Sequence, residues 1–179
     1  MKKYIIGLDL SLSSTGICVF SNDGKYIECM TIETTPKEQL GKKLKQIADA
    51  FLFVEKKYRP DVVVIEKGFT RYNFSTQQLF RVHGIANYIF HKYAQVYIAS
   101  ASIKKIVGGA GNMKKEEIRE VVLKMFPKIN FKSMDESDAF SICLAYFYMN
   151  NIKVQTEERN AKNNISSENH NRKAYQENK

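Results

Sequence analysis

Cysteine is scarce in this chain. Cys18, Cys29 and Cys143 are odd in number, far apart and set among apolar neighbours. None has zinc-ligand spacing, and the pattern predicts no disulfide framework. Such usage suits a reducing, cytoplasmic setting. Long apolar runs are missing too. With no stretch of 18 apolar residues, no membrane-spanning helix is expected. The opening MKKYIIGLDLS has two lysines, but its short apolar run soon meets Asp9, so it reads as a strand and not a signal peptide. The Gly-rich GGAG at 108–111 lacks a Lys-Ser/Thr ending, which excludes a phosphate-binding P-loop. No internal repeat is visible. Acidic residues are in deficit, 19 against 28 basic ones, for a net charge of +9. That balance suits a polyanionic partner such as nucleic acid.

What the chain does have is the makings of one core. Its 179 residues are 44% hydrophobic and 12% aromatic, enough for a globular domain. Residues 151–179 differ from the rest, with seven Asn, one aromatic and no apolar period. They read as a disordered polar tail, leaving a domain at 1–150. Within it, YIIGLD, TGICVF and YIECMTI read as strands, the last two joined by the hairpin signal Asp23-Gly24. Thr35, Pro36 and Glu38 predict a capped helix start, running to about Tyr58. DVVVIE is a β-branched run suited to a strand buried on both faces, placed by a crossover parallel to YIIGLD. Ser75 and Gln78 predict a second helix to about Tyr93, and QVYIAS a fifth strand. Lys104 to Gly111 reads as a connection, Asn112 as the cap of a helix through Met125, and Ser133 with Glu136 as the capping box of a last helix to about Met149. The expected fold is α/β, a three-layer mixed five-stranded sheet with helices on both faces.

Four carboxylates stand out. Asp9 and Glu66 each end an apolar strand, so both are expected at the carboxyl edge of the sheet, where sites form in open α/β sheets. Asp135 and Asp138 lie three apart at the head of the last helix and share a face. Glu136 between them needs no further role than N-terminal charge. Ala139, Ile142, Cys143 and Tyr146 form the stripe that packs this helix on the sheet, so Asp138 is expected close to it. Converging carboxylates raise one another's pKa unless neutralised, and a hard divalent cation takes oxygen ligands of this kind.

IIGLDLSLSSTGICVF, VVVIEKGF, KKIVGGAGNMKKEEI and DESDAFSICLAYFY resemble the sequence blocks of RuvC-type Holliday-junction resolvases, which have a ribonuclease H-like fold. The resemblance spans about residues 4–148. It implies that Asp9, Glu66, Asp135 and Asp138 are catalytic metal ligands for two Mg2+ ions, with Mn2+ able to substitute. It also implies that the partner is branched DNA, four-way junctions or forks, and that the protein is a homodimer. DLSLSSTG departs from the bacterial pattern of a proline and a glycine after the aspartate, and the Asn-rich tail is foreign to it. Both features look closer to a bacteriophage or mobile-element member. Lys104 and Lys115 match basic positions of the family and are expected to contact DNA, with Lys67, Arg71 and Lys105 as further phosphate contacts. Phe69 matches an aromatic thought to wedge into the junction centre. His83 and His91 have no partners at ligand spacing and are expected to be structural. The helix from Ser75 carries a seam of Leu79, Val82, Ala86, Ile89 and Tyr93, with Phe80, Ile85, Tyr88 and Phe90 beside it, apolar enough to serve both the sheet and a second subunit. Rival readings are another ribonuclease H-like nuclease, an actin-like or sugar-kinase ATPase, which opens with a similar strand, aspartate and hairpin, and a DNA-binding module with a decayed site. The four acids argue against the last.

Overall fold

Strand β1 (Tyr4–Asp9) pairs antiparallel with β2 (Ser14–Ser21), and β2 antiparallel with β3 (Tyr26–Glu33). The computed structural model describes residues 3–68 and 74–156. Helix α1 (Leu40–Tyr58) then carries the chain back, so that β4 (Val62–Glu66) lies parallel beside β1. Helix α2 (Phe74–Ile89) makes a second crossover to β5 (Ala94–Ile98), parallel to β4. The sheet order is β3-β2-β1-β4-β5, the mixed five-stranded sheet that the strand runs predict. Helices α3 (Ser100–Gly108), α4 (Lys115–Met125) and α5 (Met134–Met149) complete the fold.

Strand alternation divides the core in two. Ile6, Leu8, Ile17, Val19, Val63 and Ile65 face α1 and α2, joining Ile47, Phe51, Val82 and Phe90. Ile5, Cys18, Phe20 and Val64 face α3, α4 and α5, joining Phe140, Cys143 and Phe147. Helix α5 lies so close to the sheet that glycine is required beneath it. A Cβ on Gly7 would stand 2.5 Å from the Ala139 carbonyl oxygen, and one on Gly16 would collide with the Asp135 carbonyl.

Several elements differ from expectation. Helix α1 begins at Leu40, not Pro36. Thr34 is tied to the β1–β2 turn by its amide to Ser13 O (2.9 Å) and its hydroxyl to Leu12 O (2.8 Å). The Thr35–Glu38 segment is then spent turning back, and Gln39 takes the N-cap position. The tertiary path of the chain overrides the local capping signal. Lys104 lies in a helix and not a connection. Ile103 and Val107, one turn apart, are buried on α5, and the turn ends only at Gly109, with φ of 101°. Helix α4 is capped at Lys114, whose amide donates to the Glu117 carboxylate at 2.7 Å, and not at Asn112. Helix α2 ends at Ile89, four residues short of Tyr93.

The cysteines also depart from expectation. Cys18 and Cys29 stand opposite one another in the β2–β3 register and form a disulfide, leaving Cys143 as the free thiol. Spacing along the chain conceals this pair because the hairpin brings the two strands side by side in the sheet. Past the proposed boundary at 150, Val154 is buried and the Gln155 amide donates to Gly24 O at 2.9 Å. Among the described residues no helix is long and apolar enough to cross a membrane.

Candidate active site

The parallel register pairs Leu8 with Ile65, so the next residues, Asp9 and Glu66, end their strands side by side. Helix α5 starts above that edge. Its N-cap Ser133 accepts from the Glu136 amide at 3.1 Å, and the Glu136 carboxylate accepts from the Lys132 amide at 2.7 Å. Glu136 is therefore a capping residue, as the sequence indicates. The same cap turns Asp135 toward β2, where the Ser14 hydroxyl donates to its carboxylate at 2.5 Å. One turn on, Asp138 is nearly buried and is paired with Lys115.

The charges of Glu66, Asp135 and Asp138 all act on Asp9. Burial pushes Asp9 up to about 7 against the pull of Lys115, and the charges of Asp138, Glu66 and Asp135 push the same way as burial. Burial raises Glu66 too, opposed by a hydrogen bond from Ser100 and by Lys115 and Lys104, with Asp138 adding repulsion. Asp138 is raised by burial and by Asp135, and held back by Lys115 and Lys104. Asp9, Glu66 and Asp138 would ionise more readily beside a cation. The donors are all carboxylate oxygen, the set that suits a hard divalent cation. Among the described residues, however, no three His, Cys, Asp or Glu side chains stand close enough together to hold a metal ion.

Beside the acids opens a cleft of about 720 Å³, lined by Asp9, Glu66, Lys67, His83, Ser100 and Lys104 among others. Lys67 and Lys105 are exposed and Lys104 half-buried. Phe69 and Arg71 lie outside the described residues. His83 is buried against Phe80 and Tyr97, and burial lowers its pKa; His91 is exposed and bonds the Tyr88 carbonyl. Ser14 and Ser100 were not among the residues expected at the site. Each opens a regular element next to an acid, but nothing in its neighbouring sequence marks a hydroxyl as aimed across the fold.

A family model described as "Crossover junction endodeoxyribonuclease RuvC" matches residues 5–146. This chain belongs to the RuvC family. The RuvC of Orientia tsutsugamushi is 31% identical, covering 84% of this chain and 98% of its own. That of Rhizobium etli is 28% identical over 79% of this chain and 88% of its own. Among solved structures, the fold is similar to Thermus thermophilus RuvC in complex with Holliday junction substrate, with a TM-score of 0.73 at 20% identity over 84% of this chain and 98% of that one. It is also similar to the yeast mitochondrial Holliday junction resolvase Ydc2, with a TM-score of 0.58 at 14% identity over 80% and 78% of the two chains. Like the RuvC proteins, this one is a hydrolase acting on DNA, and the family depends on a divalent metal.

Proposed function

We propose that this protein resolves Holliday junctions and related branched DNA by metal-dependent hydrolysis of phosphodiester bonds. The observation that carries the reading is the coupled carboxylate group of Asp9, Glu66, Asp135 and Asp138, gathered from β1, β4 and α5 at one edge of a RuvC-family sheet. These four acids would hold two Mg2+ ions, for which Mn2+ can substitute. When bound, such ions supply a water of lowered pKa and stabilise the leaving oxygen. The chain's own part is to fix the acids. Ser14 orients Asp135, Ser100 orients Glu66, and the glycines under α5 let that helix lie close on the sheet.

Lys67, Lys104, Lys105 and Lys115, with Arg71, would hold the phosphate backbone of the substrate strand. Such contacts position DNA without reading its sequence. Phe69, three residues past Glu66, would stack on a base where strands part. Stacking of that kind is worth roughly 1–3 kcal/mol per base. A second copy of the chain would supply the opposed cut. Val82 and Ala86 of α2, with Phe90 just past its end, are spent on the protein's own core, whereas Phe80 and Tyr88 are exposed and are open to a partner subunit.

The test is a cleavage assay on labelled four-way junction, fork and plain duplex, with and without Mg2+. Paired cuts in the junction, dependent on Mg2+ and sparing the duplex, are the expected result. Equal cleavage of duplex would make the protein a general nuclease. ATP hydrolysis without DNA cleavage would return it to the kinase-like reading.

A further inference from the structure

Lys115 sits where a lysine is poorly placed by its own helix. It is the first residue of α4, at the positive end of the helix dipole, where a cation is disfavoured. Its neighbour Glu117 is occupied with the Lys114 amide. The Lys115 ammonium instead reaches across to Asp138, 23 residues away, and it also acts on Asp9 and Glu66. The Lys115 side chain is 56% exposed, while that of Asp138 is only 12% exposed. The lysine therefore stands at the mouth of the acid group with its charged end turned inward. Among the described residues it is the one cation ion-paired with any of the four acids.

We propose that Lys115 is a resident counter-cation, which neutralises the acid group while it holds no metal and must leave Asp138 for a divalent ion to bind. The inference rests on reading the four acids as the metal site. It assigns Lys115 a duty distinct from phosphate binding, and the two follow in order. An ammonium displaced from Asp138 is freed beside the cleft, where a DNA phosphate can take it. Metal loading and DNA capture are then coupled through one side chain, and the coupling is reciprocal: DNA that takes the lysine raises metal affinity. With Asp138 engaged by Lys115, the group is set for one internal positive charge and not for a divalent ion.

The experiment uses the full chain without DNA. Binding of Mn2+ is followed by loss of the free-ion paramagnetic resonance signal in the wild type, K115Q, K115R and D9N. Removing the competing charge should tighten Mn2+ binding at least tenfold in K115Q, while K115R, which keeps the charge, should stay nearer the wild type. Unchanged or weaker binding by K115Q overturns the inference. The underlying site reading fails separately, if the wild type binds no Mn2+ or if D9N binds it as well as the wild type. A second arm needs no substitution at Lys115. Amine acetylation, read by mass spectrometry, should proceed faster at Lys115 when Mg2+ is present, with exposed Lys105 as the internal control. Equal labelling of Lys115 with and without Mg2+ also overturns the inference.

Discussion

Helices α2 and α5 are both sixteen residues long and both rich in aromatic side chains, yet they do opposite work. Helix α5 is buried almost all round. Phe140 alone meets the rings of Phe20, Tyr26, Phe126 and Phe131. Helix α2 gives one side to the core through Val82 and Ala86, and leaves Phe80 and Tyr88 in the open, Tyr88 at 79% exposure. The difference follows from position. Helix α5 lies on the central strands with α3 and α4 packed around it, whereas α2 packs against α1 and ends at the edge strand β5. A helix locked on every side can hold carboxylates in register with a sheet edge. A helix with a bare outer side can meet another surface.

The comparison breaks most sharply at the acids. Asp9→Asn, Glu66→Gln and Asp138→Asn should each reduce junction cleavage below detection while leaving DNA binding in place, because affinity comes from the lysines. Gel-shift and cleavage assays on the same preparations separate the two, and cleavage near wild type by any one variant would remove that acid from the site.

Next in size is the contrast between the helices themselves. Phe140→Ala should cost about 3–5 kcal/mol in chemical denaturation, as for a large buried ring. Tyr88→Ala should stay within about 0.5 kcal/mol in folding yet weaken self-association in sedimentation. A large folding loss in Tyr88→Ala would mean that α2 is as enclosed as α5.

A smaller effect is expected at the chain end. Val154 is buried, and the backbone at 153–154 covers Gly24. Deleting 151–179 should therefore lower the melting temperature by the few degrees that about 1–2 kcal/mol produces. Deleting 157–179 should leave it unchanged, and equal stability of both truncations would return the domain boundary to 150.

A pH dependence confined to the site is expected as well. Asp9 titrates near 7 in the folded protein against an ordinary 3.8. Between those values the folded state binds the extra proton, so this group's contribution to stability falls as pH rises from about 4 to about 7. Glu66 and Asp138 are raised and act in the same direction. Metal-free wild type should lose more thermal stability between pH 5 and pH 7.5 than Asp9→Asn does, and identical pH profiles would show Asp9 to be ordinarily hydrated.

Some of this was legible in the residues alone. The β-branched run of β4, the Asp23-Gly24 turn and the Ser133–Glu136 cap each act within a few residues of chain, and each gave its element correctly. Asp9 and Glu66 could be placed at the sheet edge because a charge that ends an apolar strand has nowhere else to go. The start of α1, the helix hidden in the Gly-rich stretch and the Cys18–Cys29 pair were not legible, because each depends on a neighbour brought up by the fold. So do the hydroxyls of Ser14 and Ser100 and the turn of Lys115 toward Asp138. Which residues can be buried, capped or charged is a local matter of side-chain chemistry and period. Which acid receives a proton, a hydroxyl or an ammonium depends on distances of a few ångströms across strands far apart in the chain, and only packing sets those.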